Sequence, residues 1–409
     1  MAFTTGNPYY LNYEGIYIMN IVHYIRAVRL EDGGVVRAVL DLCEALARRG
    51  HEVTLLTFDL ADIPQKWNQG NAQYPRAMKL QKGILPWSAV STRERDIASI
   101  VSSANALHLH VIWDLVGLQL AHQAKRAATP YFVTLHGMLD DWSLAQKHTK
   151  KVLHLRLAGR RFLENAAAVH VTADGEKAQS EKWFPRGNSH VIPCLFDLGP
   201  YNTLPGPAPA RAAFASDFPE ADVPIILFLS RLHQKKGLEL LICAADILRG
   251  DGLQFRILIA GSGEDAYEEH LKTMVSSHGL SEHIRFLGFV SGIVKVSLYE
   301  AADLFVLPTS QENWGFVLME SLLCGTPVMT TRGVDIWSEL ESSQAALIVE
   351  QDAEQIAAAI GAFFRDTTKR ESMNRCAKTW ALATLSPETI SARYEDMYAE
   401  VQVSSSSHR

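Results

Sequence analysis

Two carboxylates and two cations hold most of the chemical information in this chain. Glu312 and Glu320 lie in the stretch TSQENWGFVLMESLLCGTPVMT over 309–330. The apolar run Leu304 to Leu307, closed by Pro308, reads as a buried strand ending in a loop. Gly315 marks a sharp turn, and a helix is expected from near Phe316 to just before Gly325, with Pro327 beyond it. Glu312 then sits in the loop at the strand's carboxyl end and Glu320 about one turn inside the helix, with the helix N-terminus pointing between them. Such a terminus favours an anion such as phosphate. The two carboxylates cannot both bind phosphate and are better suited to accept hydrogen bonds from sugar hydroxyls.

Arg231 and Lys236 lie in SRLHQKKG over 230–237, again between a buried strand and a helix. Two cations there, aimed across the same sheet edge, would grip a diphosphate and stabilise the charge that grows on it as it leaves. A solvated basic loop is the plainer reading, but cations at a helix start run against its dipole.

Gly261 and Gly263 belong to GSGEDA over 261–266, which fits a dinucleotide fingerprint only in outline. The next strand ends FLGFVS over 286–291 without the acid that would hold a ribose, so these glycines read as a tight turn where backbone can approach a nucleotide. Gly33 and Gly34 precede a helix and could admit a phosphate or sugar, or form a flexible turn. His136 follows a buried strand, as do His110, Trp113 and Asp114 in an equivalent loop; an aromatic beside a carboxylate suits a sugar ring. No Ser-His-Asp order, metal-ligand spacing or Asp-x-Asp is present, so no metal and no bound cofactor are expected. Lys147, Lys150, Lys151, Arg156, Arg160 and Arg161, interleaved with leucines, form a basic run that could rest on anionic lipid, though a solvated helix face is the commoner outcome.

These residues need strands to present them and helices to close over them. The chain alternates strands and helices in two successive blocks, which predicts an α/β fold of two open parallel sheets with a cleft between them. The expected divisions are an irregular leader over 1–18 before a start-like Met19, a first Rossmann-like domain over 19–195, a proline-rich linker over 196–223, a second Rossmann-like domain over 224–386, and a last helix with a disordered tail over 387–409. The chain has 409 residues, 47% hydrophobic and 21% charged, enough for two real cores. A net charge of −6 gives no reason to expect nucleic-acid binding. Five scattered cysteines suggest a reducing compartment, and no stretch is apolar enough for a membrane span. A cytoplasmic location is expected, with peripheral membrane contact through 147–161 as its only variation.

The pattern as a whole resembles the family 4 glycosyltransferases, retaining enzymes of the GT-B fold. Glu312 and Glu320 match that family's E-x7-E motif; Arg231 and Lys236 match its diphosphate-binding pair, Gly33-Gly34 its N-terminal glycine loop and His136 its cleft histidine. The runs RGHEV over 49–53 and LHGMLD over 135–140 look like members that build bacterial exopolysaccharide or lipopolysaccharide. The resemblance implies two Rossmann-like domains facing across a cleft, with the last helix crossing back to the first domain. It implies that Glu312 holds the transferred sugar, Glu320 the ribose, Arg231 and Lys236 the diphosphate, and that His136 contacts the sugar near the reacting carbon. Asn313, Trp314, Gly315, Phe316 and Leu318 would line the donor with Gly34, Gly261 and Gly263. The base would sit near Val290, and the acceptor would approach Gly34, Trp113, Asp114 and His136. The activity implied is metal-independent transfer of a hexose from a UDP- or GDP-sugar to a glycan or lipid-linked glycan. A sugar-nucleotide epimerase, a phosphorylase or a catalytically silent sensor could use the same fold.

Overall fold

A computed structural model describes residues 18–406 apart from 70, 72, 83–88, 91–93 and 220–222. Nearly all of the expected leader and the last three residues lie outside the described part. Two compact units are present: one contains the described residues up to Phe196 together with the helix from Pro387, the other runs from Asp197 to Ser386.

The first unit is a seven-stranded parallel sheet built from β1 (Asn20–Tyr24), β2 (Glu52–Thr57), β3 (Arg76–Lys79), β6 (Ala106–Leu109), β7 (Tyr131–Thr134), β8 (Ala168–Val171) and β9 (Ser189–Val191), in the order β3-β2-β1-β6-β7-β8-β9. A small antiparallel pair, β4 (Gln81–Lys82) with β5 (Ala89–Val90), lies outside it. The central strands are apolar on both faces because helices cover both. Alternate residues therefore feed two cores: Val22, Tyr24, Leu107 and Val133 one, Ile21, Ala106, Phe132 and Ala168 the other. Strand order reverses between β1 and β6, the switch point where ligands of such sheets bind at the strands' carboxyl ends.

The helix Pro387–Ser406 covers the second of these faces and extends into the stretch expected to be a disordered tail. Ile390, Tyr394, Met397 and Tyr398 are buried in the same core as Ile21 and Phe132. Glu395 is clamped by Arg49, at 2.5 and 2.8 Å, and by His51 at 2.8 Å. Burial pushes the Glu395 carboxyl up, but those hydrogen bonds outweigh it and bring the pKa down to about 2. Arg49 and His51, read from the sequence only as part of a family-like run, thus hold the last helix in place.

The second unit repeats the plan with six parallel strands: β10 (Ile225–Leu229), β11 (Arg256–Ala260), β12 (Ile284–Gly288), β13 (Leu304–Leu307), β14 (Val328–Thr331) and β15 (Ala346–Val349). Their order is β12-β11-β10-β13-β14-β15, so the switch point falls between β10 and β13. Residues 196–223, expected as a linker, contain short helices at Gly199–Asn202 and Ala208–Ala213, and the Ala210 N–H bonds to Ser297 Oγ at 2.9 Å. Within 143–167 the chain is mostly helical: helices His148–His154 and Arg160–Glu164 flank a π-helical turn, Leu155–Gly159.

Candidate active site

In the second unit the loops after β10 and β13 leave the sheet on either side of its switch point. Gly237 sits so close to the Pro308 carbonyl that any Cβ would collide with it. The Lys235 carbonyl accepts hydrogen bonds from Ser310 N at 2.8 Å and Thr309 Oγ1 at 3.0 Å, fastening the two loops together. This brings Lys236 and Glu312 into an ion pair, Nζ to Oε2. The sequence reading gave these residues separate tasks; the fold makes them neighbours. Arg231 is exposed on the same loop with no ion pair among the described residues.

Gly315, at φ 66°, starts the helix Phe316–Leu323, and no side chain caps it. A residue with a Cβ would be strained there, which explains the glycine. Glu320, one turn inside, is held by Lys295 Nζ at 2.6 Å and Tyr299 OH at 2.9 Å. Lys295 and Tyr299 lie one turn apart on the helix Gly292–Ala301 and so share a face. Burial and the Glu320 charge both push the Tyr299 hydroxyl pKa up, so it remains a donor to Glu320. Asp335, buried, accepts from Gln311 Nε2 at 3.1 Å and Asn313 Nδ2 at 3.0 Å and so orients the loop carrying Glu312. Sequence reasoning missed Lys295, Tyr299 and Asp335; the one available signal was the i, i+4 pairing of Lys295 with Tyr299.

The remaining candidates of this unit divide in two. A Cβ on Gly261 or Gly263 would run into the carbonyls of Ser230 or Leu232, so these glycines allow β11's loop to pack on β10's. Trp314 is buried, and its Nε1 has no partner among the described residues. Phe316 is half-buried, and Val290 has its side chain buried beside Phe289, which is 77% exposed. Leu318 has its side chain wholly in the core, and its N–H bonds to Gly315 O at 2.8 Å.

In the first unit Gly33, at φ 103°, precedes the helix Gly34–Arg48, with open space where side chains would stand at Gly33. Asp114 is buried and its carboxylate is spent inside the protein: it takes the Tyr24 hydroxyl, Arg26 Nη1 at 3.3 Å and the Val116 N–H at 3.1 Å, the last as cap of the helix Leu115–Ala127. Trp113 packs on His154 and under Lys151. In the basic run Leu153 and Leu157 are exposed while Leu155 and Phe162 are buried, so its outer face mixes cations with apolar groups.

His136 follows β7 with φ 49°, a left-handed conformation uncommon for a residue with a side chain. The turn is held by the buried Glu176 carboxylate, which accepts from Gly137 N–H, from Thr172 N–H at 2.6 Å and from Thr172 Oγ1 at 2.9 Å. Behind His136 the fold gathers four more imidazoles. Strand alternation puts His23, His108 and His170 on the face covered by the last helix, at the carboxyl ends of β1, β6 and β8, and His110 continues that face beyond β6. His108 bonds to Tyr398 OH and Thr134 Oγ1, both at 2.7 Å, and His170 to Thr134 Oγ1 at 2.9 Å. The alternation in LHLH over 107–110 could have revealed part of this layer, but its assembly needs the strand order.

Burial depresses these imidazoles, to about 3 for His23 and about 4 for His170, and well below the ordinary value for His108 and His110. In the unfolded chain each takes up a proton near pH 6.5. Between those values the unfolded state binds more protons, so the folded state is at full stability above about pH 6.5 and loses it as pH falls. Each imidazole contributes about 1.4 kcal/mol per pH unit in that window. Denaturant midpoints measured from pH 7 down to about pH 5.5, before most carboxylates begin to protonate, should fall steadily; a flat profile would contradict neutral burial.

Comparison with known proteins identifies the two domains. Residues 33–194 match the model of the glycosyl transferase 4-like domain, and residues 211–380 that of the glycosyl transferases group 1. The chain belongs to the family 4 glycosyltransferases. Together these two domains account for most of both units. A D-inositol 3-phosphate glycosyltransferase of Corynebacterium urealyticum is 28% identical over 226 residues, 53% of this chain and 53% of that protein, so the match spans about half of the relative's length. Sucrose-phosphate synthase from Thermosynechococcus elongatus superposes with a TM-score of 0.73 at 22% identity, covering 94% of this chain and 100% of the other. Anabaena HepE, determined in complex with UDP-glucose, gives 0.70 at 20% identity, covering 94% and 100%. Both structures share the GT-B fold. No described helix of this family 4 member is long and apolar enough to cross a membrane.

Proposed function

We propose that this glycosyltransferase moves a hexose from a UDP- or GDP-sugar to a glycan or lipid-linked glycan, with retention of configuration and without a metal ion. The observation that carries the reading is the convergence of Lys236 and Glu312 at the switch point of the second sheet, beside an uncapped helix start. Lys236 and Arg231 neutralise the diphosphate, and Glu312 accepts from hydroxyls of the transferred sugar. Glu320, fixed by Lys295 and Tyr299, accepts from the ribose. The backbone around Asn313 to Phe316 donates to the sugar or phosphate, and the turn from Gly288 to Val290 takes the base. His136 in the first unit lies against the sugar, with Gly34 and Trp113 on the acceptor side.

The transition state is oxocarbenium-like, as in glycoside hydrolysis. Glu312 is committed to Lys236, which makes it a poor nucleophile. The departing phosphate therefore takes the acceptor proton on the face it leaves. The exposed cations and leucines of 147–161 would meet anionic lipid when the acceptor is lipid-linked.

A thermal-shift screen against UDP, GDP and ADP and their sugars tests the donor. A ligand at a hundred times its dissociation constant adds about 2.7 kcal/mol of stability. Product from the stabilising donor should retain the anomeric configuration and form in EDTA. Tight nucleotide binding without transfer to any acceptor extract would reject the enzyme reading in favour of a sensor. Replacing Arg231 and Lys236 together by alanine should weaken nucleoside diphosphate by about 2–5 kcal/mol while leaving free nucleoside nearly unaffected. Calorimetric titration of both ligands measures the difference, and equal losses would refute the diphosphate role.

A further inference from the structure

The imidazole layer contains a hydrogen-bonded line that ends on His136. His23 Nδ1 lies 3.0 Å from His110 Nε2, and His110 Nδ1 lies 3.2 Å from His136 Nε2. At the inner end His23 Nε2 is buried with no partner among the described residues. At the outer end His136 is half-buried, and its Nδ1 makes no hydrogen bond among the described residues.

Burial keeps the line neutral, with His23 and His136 depressed to about 3 and His110 also well below its ordinary value. A neutral imidazole has one N–H and one lone pair. Each N···N contact needs one proton, and His110 can supply only one. Two arrangements remain. In one, all three residues carry the proton on Nδ1: His23 donates to His110, His110 donates to His136, and His136 Nδ1–H faces outward. In the other, all three carry it on Nε2, and His23 is left with a buried N–H that has no acceptor. Buried unpaired N–H groups are the rarer and costlier defect, so the first arrangement wins.

We propose that His110 and His23 are positioning residues that hold the proton of His136 on Nδ1, so that this nitrogen donates a hydrogen bond to the transferred sugar. This rests on the role given to His136 above. The nitrogens of His23, His108 and His110 also lie within 4.8 Å of one another, a spacing a metal ion could use. However, His108 is already bonded on both nitrogens, to Tyr398 and Thr134, and stacks on His110 with ring centroids 4.4 Å apart. The His23 and His110 nitrogens are turned on each other at hydrogen-bond distance, so these contacts bind a proton and not a metal.

The test is a long-range proton–nitrogen correlation spectrum of the full chain labelled with ¹⁵N-histidine at pH 7, with His136 assigned by its loss in His136→Gln. The Nδ1–H form of His136 should exceed the Nε2–H form by about tenfold or more. In His110→Phe, which keeps a ring in the stack, the excess should collapse toward the Nε2–H form that histidine prefers in water. Finding His136 as Nε2–H in the unaltered protein would overturn the proposal, as would an unchanged Nδ1–H form in His110→Phe. One equivalent of metal bound through these imidazoles would overturn it too. If His110→Phe does not fold, the spectrum of the unaltered protein still decides. The readout needs no substrate, so absence of sugar transfer would refute the proposed function and leave this result standing, and the converse holds equally.

Discussion

Glu312→Ala is expected to lower turnover by about 10²–10³-fold while nucleoside diphosphate binds as tightly as before, or more tightly. The carboxylate is paired with Lys236, and the two side chains are only partly exposed. In the proposed reaction it accepts from sugar hydroxyls as positive charge grows at the reacting carbon, an interaction strongest in the transition state. Its removal therefore falls on turnover and not on ground-state binding. Its removal also frees Lys236 from a competing anion, which can only help a diphosphate. Steady-state kinetics with calorimetry of the nucleoside diphosphate separates the two quantities. Unchanged turnover, or an affinity loss matching the activity loss, would reject the assignment.

Tyr398→Ala should destabilise the first unit by about 3–5 kcal/mol, the cost of deleting a large buried aromatic. Tyr398 is fully buried on the last helix, its ring 5.0 Å from Phe132 edge-on, and its hydroxyl bonds to His108 at 2.7 Å. Alanine would leave both a cavity and an unpaired buried imidazole nitrogen. Tyr398→Phe keeps the ring and should cost about 1–3 kcal/mol, which isolates the hydroxyl. Hydrogen exchange read strand by strand provides the check: protection should fall across β1, β6 and β7 and remain unchanged across β10 to β14. A loss below about 1 kcal/mol for alanine, or an equal loss in both units, would show that the last helix does not complete the first core.

Both predictions depend on contacts of long sequence separation, and these mark the boundary of what could be read from the chain. The helix Phe316–Leu323, its glycine start and the strand before it follow from local patterning, because apolar periodicity, a left-handed glycine and a following proline act over a few residues. The alternation of strands and helices likewise fixes two parallel α/β sheets, since parallel strands require crossovers. Arg231, Lys236, Glu312, Glu320 and His136 were visible as loop or helix-start residues after buried strands.

Local patterning could not supply the partners. Lys236 and Glu312 are 76 residues apart, and Glu395 and Arg49 are 346 apart. They meet because strand order sets which loops share a switch point and which face the last helix covers. Leu318 and Asp114 carry plausible side chains in plausible places, but packing turns one into the core and commits the other to Tyr24, Arg26 and a helix start. By itself the sequence determined the fold class and which residue types stand at the sheet edges. Tertiary structure alone decided which of them face each other, because parallel pairing joins strands far apart in the chain and side-chain neighbours follow its register. The row of imidazoles behind His136 exists only through that register.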